Sequence, residues 1–253
     1  MFSRNLARTS QMPAVAGAPR AARCVGVLVM LCAGCSMSAT GYNIDGVRSF
    51  QQGQYHTAIQ SFQQALVSDP RSADAYYNLA ATYHYLSKQN NDSNQLKQAE
   101  GLYHQCLDLN PESADCHRAL AVLLIDSGRP QSAFTLLERW MQRNPGAAEA
   151  RIELARLYEE FGDREAAKRY LAEALDTNPH NPRAWAALGR LREGDGQLAQ
   201  ALNNYEHAYR LNQYQPGVAS RIASLQQSAP GGVLTPVPDG TRTVNNPRVP
   251  THW

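Results

Sequence analysis

Ala65-Leu66-Val67-Ser68-Asp69-Pro70, Cys106-Leu107-Asp108-Leu109-Asn110-Pro111, Trp140-Met141-Gln142-Arg143-Asn144-Pro145 and Ala174-Leu175-Asp176-Thr177-Asn178-Pro179 are four copies of one phrase, whose prolines are spaced by 41, 34 and 34 residues. A fifth copy, Ala208-Tyr209-Arg210-Leu211-Asn212, carries Gln213 where the others carry proline. Aspartate or asparagine directly before proline disfavours helix and favours a turn, so each phrase reads as the end of a helix. Upstream of each phrase, apolar residues recur at helical spacing, as in Tyr76, Leu79, Ala80 and Tyr83. One helix pair of this length has nothing to bury its apolar face against. A stack of such pairs makes one continuous core.

The repeats superimpose position by position. Twelve residues before the final proline, or before Gln213 in the fifth copy, stands an alanine: Ala58, Ala99, Ala133, Ala167 and Ala201. Four residues later stands a bulky one: Phe62, Tyr103, Leu137, Leu171 and Tyr205. A second small position, in the first helix of each pair, holds Gly46, Ala80, Ala121, Ala155 and Gly189. Leu79, Leu120, Leu154 and Leu188 precede the last four of these. Small residues where two helices cross, bulky residues where they interlock and a proline after the second helix, at a period of 34, resemble the tetratricopeptide repeat. The resemblance covers residues 39–213. It implies an all-α, right-handed superhelical solenoid of five helix pairs. First helices are expected near 39–52, 73–86, 114–127, 148–161 and 182–195, and second helices near 55–68, 93–109, 130–143, 164–177 and 198–211. A helix near 216–227 is expected to cap the stack, with Ile222 and Leu225 turned inward.

The long interval places seven extra residues in the second repeat. They fall in the polar stretch Ser87-Lys88-Gln89-Asn90-Asn91-Asp92-Ser93-Asn94, read as a surface loop or, alternatively, a contact for a particular partner. Trp140 stands where other repeats have Ala65, Cys106, Ala174 and Ala208, and is read as a core residue.

Residues 1–34 have the pattern of an export signal. Arg4, Arg8, Arg20 and Arg23 form a basic region without acidic residues, and an apolar run follows from Cys24 to Cys35. A run of about a dozen residues is shorter than the roughly 20 of a membrane-spanning helix. Its end, Ala33-Gly34-Cys35-Ser36, resembles the lipobox of bacterial lipoproteins, although Cys32 stands where that family has leucine. The resemblance implies lipidation at Cys35, a short linker over 35–38, and an exported protein anchored facing the periplasm. Ser36, rather than aspartate, implies the outer membrane over the inner. Plain secretion and an uncleaved anchor stay open as other readings. Residues 228–253, with five prolines, are expected to form a disordered tail.

The chain carries 24 basic and 22 acidic residues. Four of the basic ones lie in the signal, which leaves 20 against 22 beyond it. Such a balance gives no reason to expect nucleic acid as partner. No glycine-rich phosphate loop, nucleophile elbow or metal-ligand spacing among the seven histidines is present, so neither enzyme activity, cofactor nor metal is expected. Cys106 and Cys116, the two cysteines outside the signal region, bracket the junction of repeats two and three. Export permits a disulfide between them; two small buried apolar residues is the other reading.

In tetratricopeptide proteins the first helices line a concave binding face. The resemblance places Asp74, Tyr77, Ala81 and His84 of repeat two on it. Repeat three adds Asp115, Arg118, Val122 and Ile125, repeat four Glu149, Ile152, Arg156 and Glu159, and repeat five Arg183, Ala186, Arg190 and Glu193. The lysine and asparagine clamp of chaperone-binding repeats is not matched: Asn43, Val47, Asp115 and Ala119 occupy its positions, and only Asn78 agrees. The function implied is a monomeric, non-catalytic scaffold or adaptor that holds another envelope protein or peptide segment in the groove. A repeat subunit of an enzyme complex, such as a glycosyltransferase or a secretion machine, is the alternative.

Overall fold

The computed structural model describes residues 39–227. Among them are eleven α-helices and no strand. They pair in chain order. Helix α1 (39–51) precedes α2 (Tyr55–Ser68), α3 (Ala73–Asn90) precedes α4 (Ser93–Leu109), and α5 (Ala114–Asp126) precedes α6 (Pro130–Arg143). Then come α7 (Ala148–Glu160) with α8 (Arg164–Thr177), α9 (Pro182–Gly194) with α10 (Leu198–Leu211), and a single closing helix α11 (Pro216–Gln227). Cys32, Cys35, the linker and the tail lie outside the described residues.

Local chemistry accounts for the boundaries. Ser72, Ser113 and Asp163 accept backbone N–H bonds at the starts of α3, α5 and α8, and Asn181 does so for α9. First helices end in a left-handed turn, at Gly53, Gly128, Gly162 and Gly196, with φ between 73° and 85°. At that turn the chain closes back on the helix, as when Arg129 N–H reaches Leu124 C=O at 2.8 Å.

Repeat two corrects the expected loop. Ser87 to Asn90 extend α3, Ser93 and Asn94 belong to α4, and only Asn91 and Asp92 lie between. Asn91 takes the left-handed conformation at φ 52°, and Asp92 N–H closes on Ser87 C=O at 3.0 Å. Asparagine thus does here what glycine does in the other repeats. Seven extra residues are close to two helical turns, about 3.6 residues each, so each helix grows by about a turn and keeps its buried face.

The core runs the length of the stack. All five alanines at the crossing point have 0% exposure, and Phe62, Tyr103, Leu137, Leu171 and Tyr205 are buried beside them. Trp140 is buried, lies flat on His117 at 4.1 Å between ring centres and donates its indole N–H to Glu112 at 3.2 Å. Val218 and Leu225 of α11, with Ile222 beside them, cover the last repeat.

Cys106 of α4 and Cys116 of α5 form a disulfide, with Cα atoms 6.4 Å apart. It ties the second repeat to the third. Closing a loop this short restrains the unfolded chain by roughly 2–3 kcal/mol. Replacing both cysteines by alanine is expected to lower unfolding stability by about that amount in denaturant titration, whereas the same titration in reductant should leave the double variant unchanged.

Candidate functional site

One cavity of about 480 Å³ opens on the face shared by α7, α9 and α11. Ile152, Arg156 and Glu159 of α7 and Arg183, Ala186 and Arg190 of α9 line it together. Six groove residues drawn from two repeats therefore meet in one place, because the first helices of successive repeats lie side by side and present the same positions.

Its electrostatic centre is Glu153, which has 0% exposure. Three arginines from three successive repeats converge on this carboxylate: Arg183 of α9 at 2.6 Å, Arg156 of α7 at 3.2 Å and Arg118 of α5 at 3.6 Å. Arg118 also pairs with Asp115, and Arg156 with Glu160 at 3.3 Å. Along the rim Arg190 grips Glu159 through two nitrogens, at 2.6 and 3.3 Å. Arg221 of α11 reaches Glu193 at 3.3 Å, and the Tyr205 hydroxyl donates to the same carboxylate at 2.8 Å. Burial, and then the bond to Glu193, push the Tyr205 hydroxyl well above its ordinary range, so it stays a donor.

The other groove candidates lie elsewhere. Glu149 accepts a bond from Asn181 at 3.1 Å and helps hold the start of α9. Asp74 is exposed at the start of α3, and Tyr77 is half-buried against Tyr103, its hydroxyl pushed up by burial and by Asp115. Ile125 packs on the core beneath repeat three. His84 is buried, not presented: its Nε2 lies 3.0 Å from Asp126, which Lys88 also holds at 2.8 Å. The extra turn of α3 supplies that lysine.

Three participants escape the repeat pattern. Tyr205 reads from sequence as a core residue alone, and Arg221 lies beyond the last repeat. Glu153 occupies an inward position that is Asn78, Ala119 and Ala187 in other repeats. The available signal is a surplus of arginine at groove positions, which calls for an internal counter-ion.

Among the described residues no cluster of histidine, cysteine, aspartate and glutamate has the geometry of a metal site, and no helix is long and apolar enough to cross a membrane. The tetratricopeptide repeat family model matches residues 91–140 and 124–191, and a further TPR repeat model matches residues 46–86. The chain is built from tetratricopeptide repeats. Its fold is similar to that of TTC0263, a thermophilic TPR protein of Thermus thermophilus, with TM-score 0.56 and 23% identity, over 75% of this chain and 99% of that one. It is also similar to PilW, described as a widely conserved type IV pilus biogenesis factor, with TM-score 0.51 and 21% identity over 76% and 87% of the two chains. The pilF protein of Pseudomonas aeruginosa gives TM-score 0.50 and 19% identity over 79% and 96%. No curated protein sequence matches the chain. At these identities the likeness is one of fold. Tetratricopeptide repeats as a class build surfaces for peptides and proteins and are generally non-catalytic.

Two expectations follow from the site's charges. Glu153→Ala leaves three guanidiniums around an empty centre, and removing one partner of a buried ion cluster costs on the order of 3 kcal/mol. Chemical denaturation should show a loss of that size, against less than about 1 kcal/mol for Glu160→Ala, whose pair is exposed. His84 and His117 are both held below the ordinary imidazole value, chiefly by burial. The unfolded chain protonates them near pH 6.5 and the folded chain only at lower pH. Their contribution is complete above that value and is lost as pH falls. The unfolding temperature should therefore drop between about pH 7 and about pH 5, and His117→Phe, which keeps a ring on Trp140, should flatten the decline.

Proposed function

We propose that this chain is a non-catalytic adaptor of a bacterial cell envelope, anchored by lipid at Cys35, that receives a segment of another envelope protein in the groove between α7, α9 and α11. The observation that carries the reading is the cavity itself. Four arginines and an apolar floor converge on it from three helices. A solenoid of this kind offers shape and charge to a partner; nothing in the groove resembles a nucleophile, an acid–base pair or a phosphate loop.

The anchor rests on the leader and on Ala33-Gly34-Cys35-Ser36. It places a groove for an extended segment within reach of a membrane, where envelope machines are assembled. The fold shared with PilW makes type IV pilus biogenesis one setting to test.

The test is crosslinking and affinity capture of the tagged, full-length chain from intact membranes. Wild type should retain one envelope protein that the double variant Arg183→Glu, Arg190→Glu loses by about a hundredfold or more, the scale of two charge-assisted contacts. Cys35→Ser should move the chain out of the membrane fraction. Identical captures by wild type and the arginine variant would show that the groove is not the binding site.

A further inference from the structure

We infer that the groove between α10 and α11 is a docking site for an amphipathic α-helix of another protein, which takes the place of the second helix of a sixth repeat. This surface is separate from the cavity described above. Gly217, Val218 and Arg221 of α11 line the cavity, whereas Ala219, Ile222, Ala223 and Gln226 line the groove.

Helix α11 closes the stack, yet it has the register of a first helix. Proline opens both α9 and α11, at Pro182 and Pro216. Counted from it, Val218 stands at the place of Ala184, Ile222 at that of Leu188 and Leu225 at that of Leu191. Val218 and Leu225 are buried like their counterparts, so α11 packs on α10 as α9 packs on α8. Ala223 falls at the small position held by Gly46, Ala80, Ala121, Ala155 and Gly189. Those five are buried, and the ring of a second-helix residue fills the space over Gly46 and Gly189. Ala223 is exposed, as is Ala219 one turn before it, and Ile222 is only half-buried where Leu188 is sealed. Across the groove Tyr209 is 36% exposed, whereas Leu175, at the same place in α8, is 7% exposed and packs in the core with Leu188 and Leu191.

The open face of α11 is thus the face of a first helix that α4, α6, α8 and α10 each cover in their own repeats. The four filled copies state what fits the next one. Where the small residue is alanine, as in Ala80, Ala121 and Ala155, the covering helix brings an alanine and, four residues later, Tyr103, Leu137 or Leu171. The occupant is therefore a helix with a small residue at the crossing and leucine or tyrosine one turn on, laid into a space of about 390 Å³. Residues 228–253 do not supply such a helix. One repeat period after Ala201 stands Thr235, and Pro236 and Pro238 fall inside the required helix, where proline removes a donor and clashes with the preceding turn. The longest run without proline after Pro230 is 239–246, eight residues against the 14 of α6, α8 and α10.

The probe is a fluorescein-labelled peptide with the sequence of α8, Arg164–Thr177, whose home partner is the alanine-bearing face of α7. Polarisation with the full-length protein should show saturable binding. Circular dichroism should show a gain of helix, because a free peptide of this length is a marginal helix in water. Leu171→Ala in the peptide and Ala223→Leu in the protein should each weaken binding about tenfold or more, the scale of one core truncation or one overpacked crossing. Ala223 is exposed, so the protein variant should unfold at the wild-type temperature. No binding, or binding indifferent to Ala223→Leu, would overturn the inference. Loss of binding with Arg190→Gln would overturn it too, by placing the peptide in the cavity of α7, α9 and α11. A dimer in sedimentation that Ala223→Leu dissolves would make a second copy the occupant. Tighter peptide binding by Val233→Asp, Leu234→Asp would make the tail the occupant. Either result overturns the assignment to another protein.

Discussion

The close crossing of paired helices at an alanine governs the rest of the molecule. Ala58, Ala99, Ala133, Ala167 and Ala201 are all sealed from solvent. Glycine or alanine stands on the partner helix, and the bulky residue one turn further on locks the pair. In the first and last repeats that residue is aromatic and the partner is glycine. A Cβ on Gly189 would stand 2.9 Å from the Tyr205 ring, and one on Gly46 would run into Phe62. The same small-to-bulky arrangement recurs in every pair, and the repeats stack one on the next. First helices then lie side by side, and equivalent positions of successive repeats become neighbours in space. The groove follows from the alanines before any of its own residues is chosen.

The second repeat shows how strict this constraint is. An insertion of arbitrary length between two packed helices would have to loop out or rotate one helix's apolar face away from the other. Seven residues do neither, since two helical turns restore the face. The closing turn is rebuilt with Asn91, one of the few residues besides glycine that tolerate a left-handed backbone. The added length is then used: Lys88 reaches Asp126 of the next repeat, and with His84 it ties the two repeats on one side while the disulfide ties them on another.

This explains what can be read from the sequence. The alanine and proline periods report backbone geometry directly, so helix limits in four repeats agree with the expected ones to a residue or so. The polar insert reads as a loop and is a helix, because polarity reports exposure, not conformation, and an exposed helix is as polar as a loop. The pairing of Cys106 with Cys116 stays open in the sequence because it depends on a Cα separation across a repeat junction, which no period encodes. For the groove, position is legible and depth is not. Arg156, Arg183 and Arg190 line the cavity, whereas His84 has equivalent spacing but is buried against Asp126. Arg221 belongs to the closing helix, where the repeat pattern has ended and gives no position to compare.

Glu153 bears most directly on what the groove is for. A carboxylate with no exposure is costly to bury, and its attraction to three arginines offsets that cost without a clear gain over an apolar residue. The repeat architecture does not require it: the equivalent residues of the repeats on either side are Ala119 and Ala187, in helices of the same length. What the carboxylate adds is placement. It draws Arg118, Arg156 and Arg183 to one point, each from a different repeat, and restrains long side chains that would otherwise sample many rotamers. Arginines restrained in this way lose less freedom when they meet a ligand than free ones would, which is the energetic basis of preorganised recognition. A stack that needed only to be stable would have kept alanine here. The buried glutamate thereby joins three successive repeats through one carboxylate.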